Sequence, residues 1–145
     1  MNLDTLYQEV ILDHYKNPLN KKLSPTFDVQ VHHINPSCGD EITLNLSAVD
    51  GVITAITWDG VGCSISQASV SIASDLLIGK TFEQAQAISD EFVDLMQSKG
   101  KKIGDEATLE DAVALAGVSQ YPARIKCALL GWMAIKDASI QTQTK

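Results

Sequence analysis

The sequence predicts an α+β fold: a small antiparallel three-stranded sheet with helices packed on one face. Three observations carry this. Segments with strand-type alternation cluster in the first half of the chain. A hairpin signal, Asp50-Gly51, joins the last two of them. The second half repeats its apolar residues at helical spacing, and strands followed by a run of helices point to α+β.

The elements follow in order. Leu3, Leu6, Tyr7, Val10, Ile11 and Tyr15 recur at three- and four-residue steps, which predicts a helix over 3–16. Asn17-Pro18 ends it, and a loop leads to Pro25. Phe27, Val29 and Val31 alternate with Asp28, Gln30 and His32, and Ile42, Leu44 and Leu46 alternate with Thr43, Asn45 and Ser47. Val52 to Trp58 is rich in β-branched residues, which fit a pleated surface. Glycine accepts positive φ, so Asp50-Gly51 suits a two-residue hairpin turn. A helix is expected over 64–78, with Ile65, Ala68, Ile72 and Leu76 on its apolar stripe and Gly79 as its C-cap. Thr81 with Glu83-Gln84 starts another, whose stripe includes Phe82, Ala85, Ile88, Phe92 and Leu95. Lys99 to Lys102 reads as a turn and 109–115 as a short helix. The last helix begins at Pro122, a residue tolerated at a first helical position, and runs to about Ile140.

The chain has 145 residues, 45% of them hydrophobic and 20% charged, which suits one packed domain over 1–145 rather than disorder. Eighteen acidic against 11 basic residues give a net charge of -7, so no basic field favours nucleic acid. The longest apolar run, Cys127 to Ile135, contains Gly131 and falls short of the about 20 residues a membrane span needs, so no membrane association is expected. Met1 to Leu6 lacks a basic n-region and an apolar h-region. With three widely separated cysteines, this predicts a cytoplasmic, reduced chain whose thiols bind metal, react or fill the core.

Four residues draw attention: Cys38, Asp40, Cys63 and Cys127. Cys38 and Asp40 lie in Asn35-Pro36-Ser37-Cys38-Gly39-Asp40, a loop between two expected strands. Pro36 and Gly39 permit a tight turn there. Cys63 precedes a helix whose N-terminal positive end favours a thiolate, and Cys127 lies early in the last helix beside Arg124 and Lys126. The spacing has no CxxC pair, so it is weak evidence for a metal. Without a recognised pattern, Cys63 and Cys127 read first as small core fillers. Three thiolates and one carboxylate nevertheless make a chemically sound tetrahedral zinc set, with Asp40 the harder ligand.

Arg124 reads either as a solvated charge at the helix start or as a residue that orients the site and contacts Asp40 or the sulfur donor. Lys126 reads as a surface charge. His14 is expected exposed, whereas His32 and His33, adjacent in a strand, point to opposite faces and cannot share one ion. Trp58 and Trp132 read as core or rim residues. The sequence shows no Ser/His/Asp array, phosphate loop or HExxH pattern.

The blocks Pro36-Ser37-Cys38-Gly39-Asp40, Gly60-Val61-Gly62-Cys63-Ser64-Ile65-Ser66-Gln67-Ala68-Ser69 and Tyr121-Pro122-Ala123-Arg124-Ile125-Lys126-Cys127 together resemble the U-type iron–sulfur cluster assembly proteins. Leu6-Tyr7 and His14-Tyr15-Lys16-Asn17-Pro18 match as well. Lys126 stands where scaffolds of the IscU type usually carry a His, and there is an extra stretch over 92–111. Both features resemble the SUF-type branch, the SufU proteins.

The resemblance implies a SufE/NifU-like fold and one metal site formed by Cys38, Asp40, Cys63 and Cys127. It implies a zinc-dependent sulfur acceptor that takes persulfide sulfur from a SufS-type cysteine desulfurase and passes it toward a downstream SUF scaffold complex. Cys38 is the expected acceptor, leaving the metal as a His of the desulfurase replaces it. The alternatives are a scaffold that assembles a [2Fe–2S] cluster or iron on the same ligands, and a non-catalytic zinc-stabilised module that activates the desulfurase.

Overall fold

The computed structural model describes residues 3–37 and 39–144, with side chains from Tyr7 onward. The chain opens with helix α1 (Leu3–Lys16). Strands β1 (Val29–Asn35), β2 (Asp40–Val49) and β3 (Val52–Val61) follow, then helices α2 (Ser64–Leu77) and α3 (Phe82–Met96). A single turn, α4 (Glu106–Leu109), leads into a 3-10 segment, Glu110–Gln120, and the chain closes with α5 (Pro122–Gln143).

The sheet is an antiparallel meander in the order β1-β2-β3, as the alternation predicts. Asp50 and Gly51 both take positive φ, 52° and 79°, which matches the right-handed twist of a tight hairpin. β1 starts at Val29 rather than Phe27 because the chain bends at Asp28. Its Oδ2 accepts the Ala48 N–H at the bulge where the β2–β3 register shifts.

One face of the sheet is apolar. Val29, Val31, Ile42, Leu44, Leu46, Ile56 and Trp58 project from it and are buried against α2 and α5. The opposite face carries Gln30, Asn45 and Thr57 in register. Gln30 donates to Asn45, Asn45 donates to the Ser24 carbonyl, and Thr57 accepts from the Ser24 N–H. The outer edge of β3 is covered by the Asn20 carbonyl, which accepts the Trp58 N–H, and by a bridge between Val52 and Thr81.

α2 is the central helix, with eleven of its fourteen residues buried, so its apolar stripe widens into near-complete enclosure. Small serines and alanines make this possible because neighbours approach closely and every buried hydroxyl finds a partner. Ser69 donates to the Ala128 carbonyl of α5 and accepts from Trp132 Nε1, and Ser74 accepts from Asn20. Trp132 stacks on Phe92 of α3, with centroids 4.3 Å apart, so both tryptophans lie in the core. At Gly131 a Cβ would lie 2.6 Å from Val70 Cβ, so glycine sets how closely α5 rests on α2.

α3 starts at its N-cap Thr81 as expected, and Thr81 and Gln84 form a capping box there. Three expectations are corrected. Gly79 has positive φ just past α2, but its N–H bonds to the Ile53 carbonyl of β3, so it ties the helix end to the sheet instead of capping it. The helix expected over 109–115 is not α-helical. Asp105 caps a turn that starts at Glu106, Glu110 breaks it with φ 48°, and the residues 112–116 are all buried. An apolar run without a 3.6-residue period does not enforce an α-helix.

His14, expected exposed, is 7% exposed. It continues the Tyr7–Ile11 stripe at the next helical step, while Tyr15 turns outward.

Among the described residues no helix is long and apolar enough to cross a membrane.

Candidate metal centre

The starts of β2, α2 and α5 converge at one end of the fold. Asp40 is the first residue of β2 and belongs to the same face as Ile42, Leu44 and Leu46, so strand parity turns its carboxylate into the core. Cys63 is the N-cap of α2, and its side chain makes no capping hydrogen bond, which leaves the sulfur available. Cys127 follows Pro122 by five residues in α5, is fully buried, and directs its thiol toward the Ala123 carbonyl 4.0 Å away.

These three residues form one group. A ligand atom from each of Asp40, Cys63 and Cys127 lies within 4.8 Å of the others. Tetrahedral coordination with metal–sulfur bonds of about 2.3 Å places ligand atoms about 3.8 Å apart, so a small contraction closes the set. Oδ1 of Asp40 accepts the Cys63 N–H at 2.9 Å, whereas Oδ2 is buried with no partner among the described residues. A buried carboxylate oxygen without a donor is costly, and a cation between it and two thiols removes that cost. Two thiols and a carboxylate suit a borderline-soft divalent ion with a fourth position for another ligand.

The surrounding turn is built for this carboxylate. A Cβ on Gly62 would sit 2.4 Å from Asp40 Oδ1 and 2.6 Å from Ser66 Oγ, so glycine permits the close approach. Ser66 donates to the Cys63 carbonyl at 3.0 Å and steadies the first turn of α2. The positive end of that helix faces both the carboxylate and the Cys63 sulfur.

Cys38, the fourth expected ligand, lies outside the described residues. Its neighbour Gly39 takes φ 71°, the left-handed turn expected of it. Asn35 and Asp40, the partners that flank the turn, are both buried. Arg124 and Lys126 are exposed in the first turns of α5.

Among the described residues no histidine joins the group. His32 pairs with Glu41 and Thr43 on the outer face; His33, on the other face, pairs with Asp137 of α5 at 2.9 Å. The His33 and Gln141 hydrogen bonds hold the Asp137 carboxyl below its ordinary value. His14 Nδ1 lies 2.8 Å from Ser71 Oγ and Nε2 lies 3.0 Å from Asp111 Oδ2, an array that no local motif in the sequence announces. Ser71 is fully buried and its Oγ also accepts the Leu19 N–H, so the array locks α1, α2 and the 3-10 segment together and presents no nucleophile.

Gly62, Ser66, Asn35 and Gly131 belong to the centre's support and were not singled out from sequence. For Asn35 the signal was available: it shares strand parity with Val29 and Val31.

Residues 6–128 match the family described as the NifU-like N terminal domain. The zinc-dependent sulfurtransferase SufU of Bacillus subtilis is 46% identical over 136 residues, covering 93% of this chain and 90% of that protein. The iron–sulfur cluster assembly scaffold protein IscU of Streptococcus pyogenes is 40% identical and covers 94% of this chain and 84% of its own length. A crystal structure of a putative iron–sulfur cluster assembly scaffold protein for the SUF system from Fervidobacterium islandicum superposes with a TM-score of 0.84 at 31% identity, covering 95% of this chain and 99% of that one. With its sheet, its helical layer and its Asp-Cys-Cys group in place, the chain belongs to the NifU-like N-terminal domain family.

Proposed function

We propose that this chain is a zinc-dependent sulfurtransferase that accepts persulfide sulfur from a SufS-type cysteine desulfurase and passes it on for iron–sulfur cluster assembly through a SUF scaffold complex. The observation that carries the reading is the buried, unpartnered Asp40 Oδ2 beside the Cys63 and Cys127 thiols. The name of the Bacillus subtilis relative supports zinc as the ion and sulfur transfer as the activity. Asp40, Cys63 and Cys127 would hold the ion, with Cys38 as fourth ligand and sulfur acceptor. When bound, zinc supplies positive charge that keeps its thiol ligands deprotonated at neutral pH.

The chain's own residues do the rest. Asp40, Cys63 and Cys127 are anchored on a strand and two helices, whereas Cys38 belongs to the short connection between Asn35 and Asp40. That division suits three residues that hold the ion and one that accepts sulfur. In the transfer, the Cys38 thiolate forms a bond to the outer sulfur of the donor's persulfide. The donor's S–S bond breaks and the donor cysteine leaves as a thiolate, so no oxidant or reductant is consumed. The pyridoxal-phosphate chemistry that releases sulfur from cysteine belongs to the desulfurase.

Alanine formation by a SufS-type desulfurase tests this. Adding the zinc-loaded chain raises the rate, and adding the Cys38→Ala chain does not. Equal stimulation by both would instead favour a non-catalytic activating module.

The Streptococcus pyogenes relative, named a scaffold, supports a second reading in which the same residues hold a [2Fe–2S] cluster. Anaerobic incubation with iron, cysteine and desulfurase separates the two. Cluster-type visible absorption that transfers to an acceptor protein indicates scaffolding; a colourless chain with one zinc indicates sulfur transfer.

A further inference from the structure

Asp40 Oδ2 has a counterpart of opposite polarity. Asn35 ends β1 and is the register partner of Asp40 in β2. Its side chain shares the core-facing parity of Val29 and Val31, and the residue is 6% exposed. Among the described residues, the buried side-chain nitrogen and oxygen atoms without a partner are two: Asn35 Nδ2 and Asp40 Oδ2. Residues directly opposite in an antiparallel pair carry Cβ atoms about 4.5–5.5 Å apart on one face. A buried donor and a buried acceptor are therefore carried by directly opposed residues, one of them a member of the Asp-Cys-Cys group, and neither satisfies the other. Leaving either unpaired is costly, so each marks a place where something else binds. The acceptor suits a cation; the donor suits an anion.

We propose that Asn35 is a positioning residue of the metal centre, its carboxamide donating an N–H hydrogen bond to an anionic sulfur bound there. The proposal rests on the reading that the centre holds zinc and handles sulfur. Thiolates and a carboxylate around one divalent ion leave excess negative charge in a buried place. A neutral amide N–H relieves part of that charge without adding a cation, and its nitrogen has no basic lone pair with which to displace a ligand. A metal-bound thiolate or a persulfide keeps lone pairs for such a donor. An outer hydrogen bond of this kind fixes a ligand's orientation and tunes how strongly it holds the metal.

Cobalt substitution of the full-length chain tests this through a signal that packing alone does not move. The wild-type chain with Co²⁺ shows a thiolate-to-cobalt charge-transfer band. Asn35→Leu has nearly the same shape but no donor. Its band moves to longer wavelength because the sulfur lone pairs rise in energy, and its zinc affinity, measured by chelator competition, falls about tenfold. The metal-free Asn35→Leu chain melts at or above the wild-type temperature, since a buried unpaired donor is gone. Should Asn35→Leu fail to fold, Asn35→Asp keeps the shape, replaces the amide donor by a carboxylate, and carries the same two readouts. An unmoved band with unchanged zinc affinity in the variant overturns the role of Asn35 alone. A wild-type chain that gives no thiolate-to-cobalt band overturns the metal reading, and Asn35's role with it.

Discussion

The backbone N–H of Cys63 donates to Oδ1 of Asp40 at 2.9 Å, and Oδ2 of the same carboxylate is buried with no partner among the described residues. One oxygen is thus spent on holding the turn before α2, and the other is left for a ligand. The bond joins the first residue of β2 to the N-cap of α2 and orients the carboxylate before any ion arrives, which lowers the cost of assembling the site.

Asp40→Asn separates those two jobs. Asparagine keeps a carbonyl oxygen for the Cys63 N–H but puts N–H donors where Oδ2 was. Zinc affinity is expected to fall more than about 100-fold, beyond the range usual for an outer-shell change, with the fold retained. Chelator competition and circular dichroism check this. Unchanged zinc affinity would remove Asp40 from the ligand set.

Gly62→Ala tests the support beneath the carboxylate. The added methyl meets Asp40 Oδ1 at 2.4 Å, so the carboxylate must shift and the Cys63 bond must lengthen. A loss of about 1–3 kcal/mol is expected in urea unfolding of the metal-free chain, together with weaker zinc binding. A variant as stable as wild type, with the same zinc affinity, would show that the turn has slack.

Gly131→Ala acts at a distance from the ligands. Its methyl would meet Val70 Cβ and Cγ2 at 2.6 and 2.7 Å and push α5 off α2, the helices that carry Cys127 and Cys63. The expected cost is about 1–3 kcal/mol, with zinc affinity reduced because the two sulfurs separate. Weakened stability with unaltered zinc affinity would mean that the first turns of the helices are positioned independently of this crossing.

Much of the architecture was legible because it is written locally. Asp50-Gly51 carries its own turn chemistry, Thr81 and Gln84 carry their own cap, and the parity of Ile42, Leu44 and Leu46 already points Asp40 inward. His14 was misjudged because its burial depends on Ser71 and Asp111, far away in the chain. The helix expected over 109–115 was misjudged because the residues 112–116 are buried at every position and leave no period to read. At the site, the residue types were visible from sequence. The Cys63–Asp40 bond, the Gly62 contact and the unpaired Asn35 amide arise from long-range packing, to which no local pattern points.

The His33–Asp137 pair predicts a pH dependence away from the metal centre. The folded Asp137 carboxyl titrates below its ordinary 3.8, chiefly through the hydrogen bond with His33. A depressed carboxyl contributes stability that is complete above its unfolded value and is lost as the pH falls through the folded one. Asp137→Asn is therefore expected to lower stability at neutral pH by less than about 1 kcal/mol, since the pair is partly exposed. The gap from wild type closes as the pH drops below 3.8. Urea midpoints at successive pH values check this, and a gap that stays constant into acid would contradict it.

The central claim is that this chain takes a sulfur atom onto Cys38. Intact-mass and peptide mass spectrometry after incubation of the zinc-loaded chain with a SufS-type desulfurase and cysteine test it directly. The account predicts one added sulfur, located on the peptide that contains Cys38 and missing from the Cys38→Ala chain. A chain that gains no sulfur while the desulfurase turns over, or that gains it undiminished in Cys38→Ala, would contradict it.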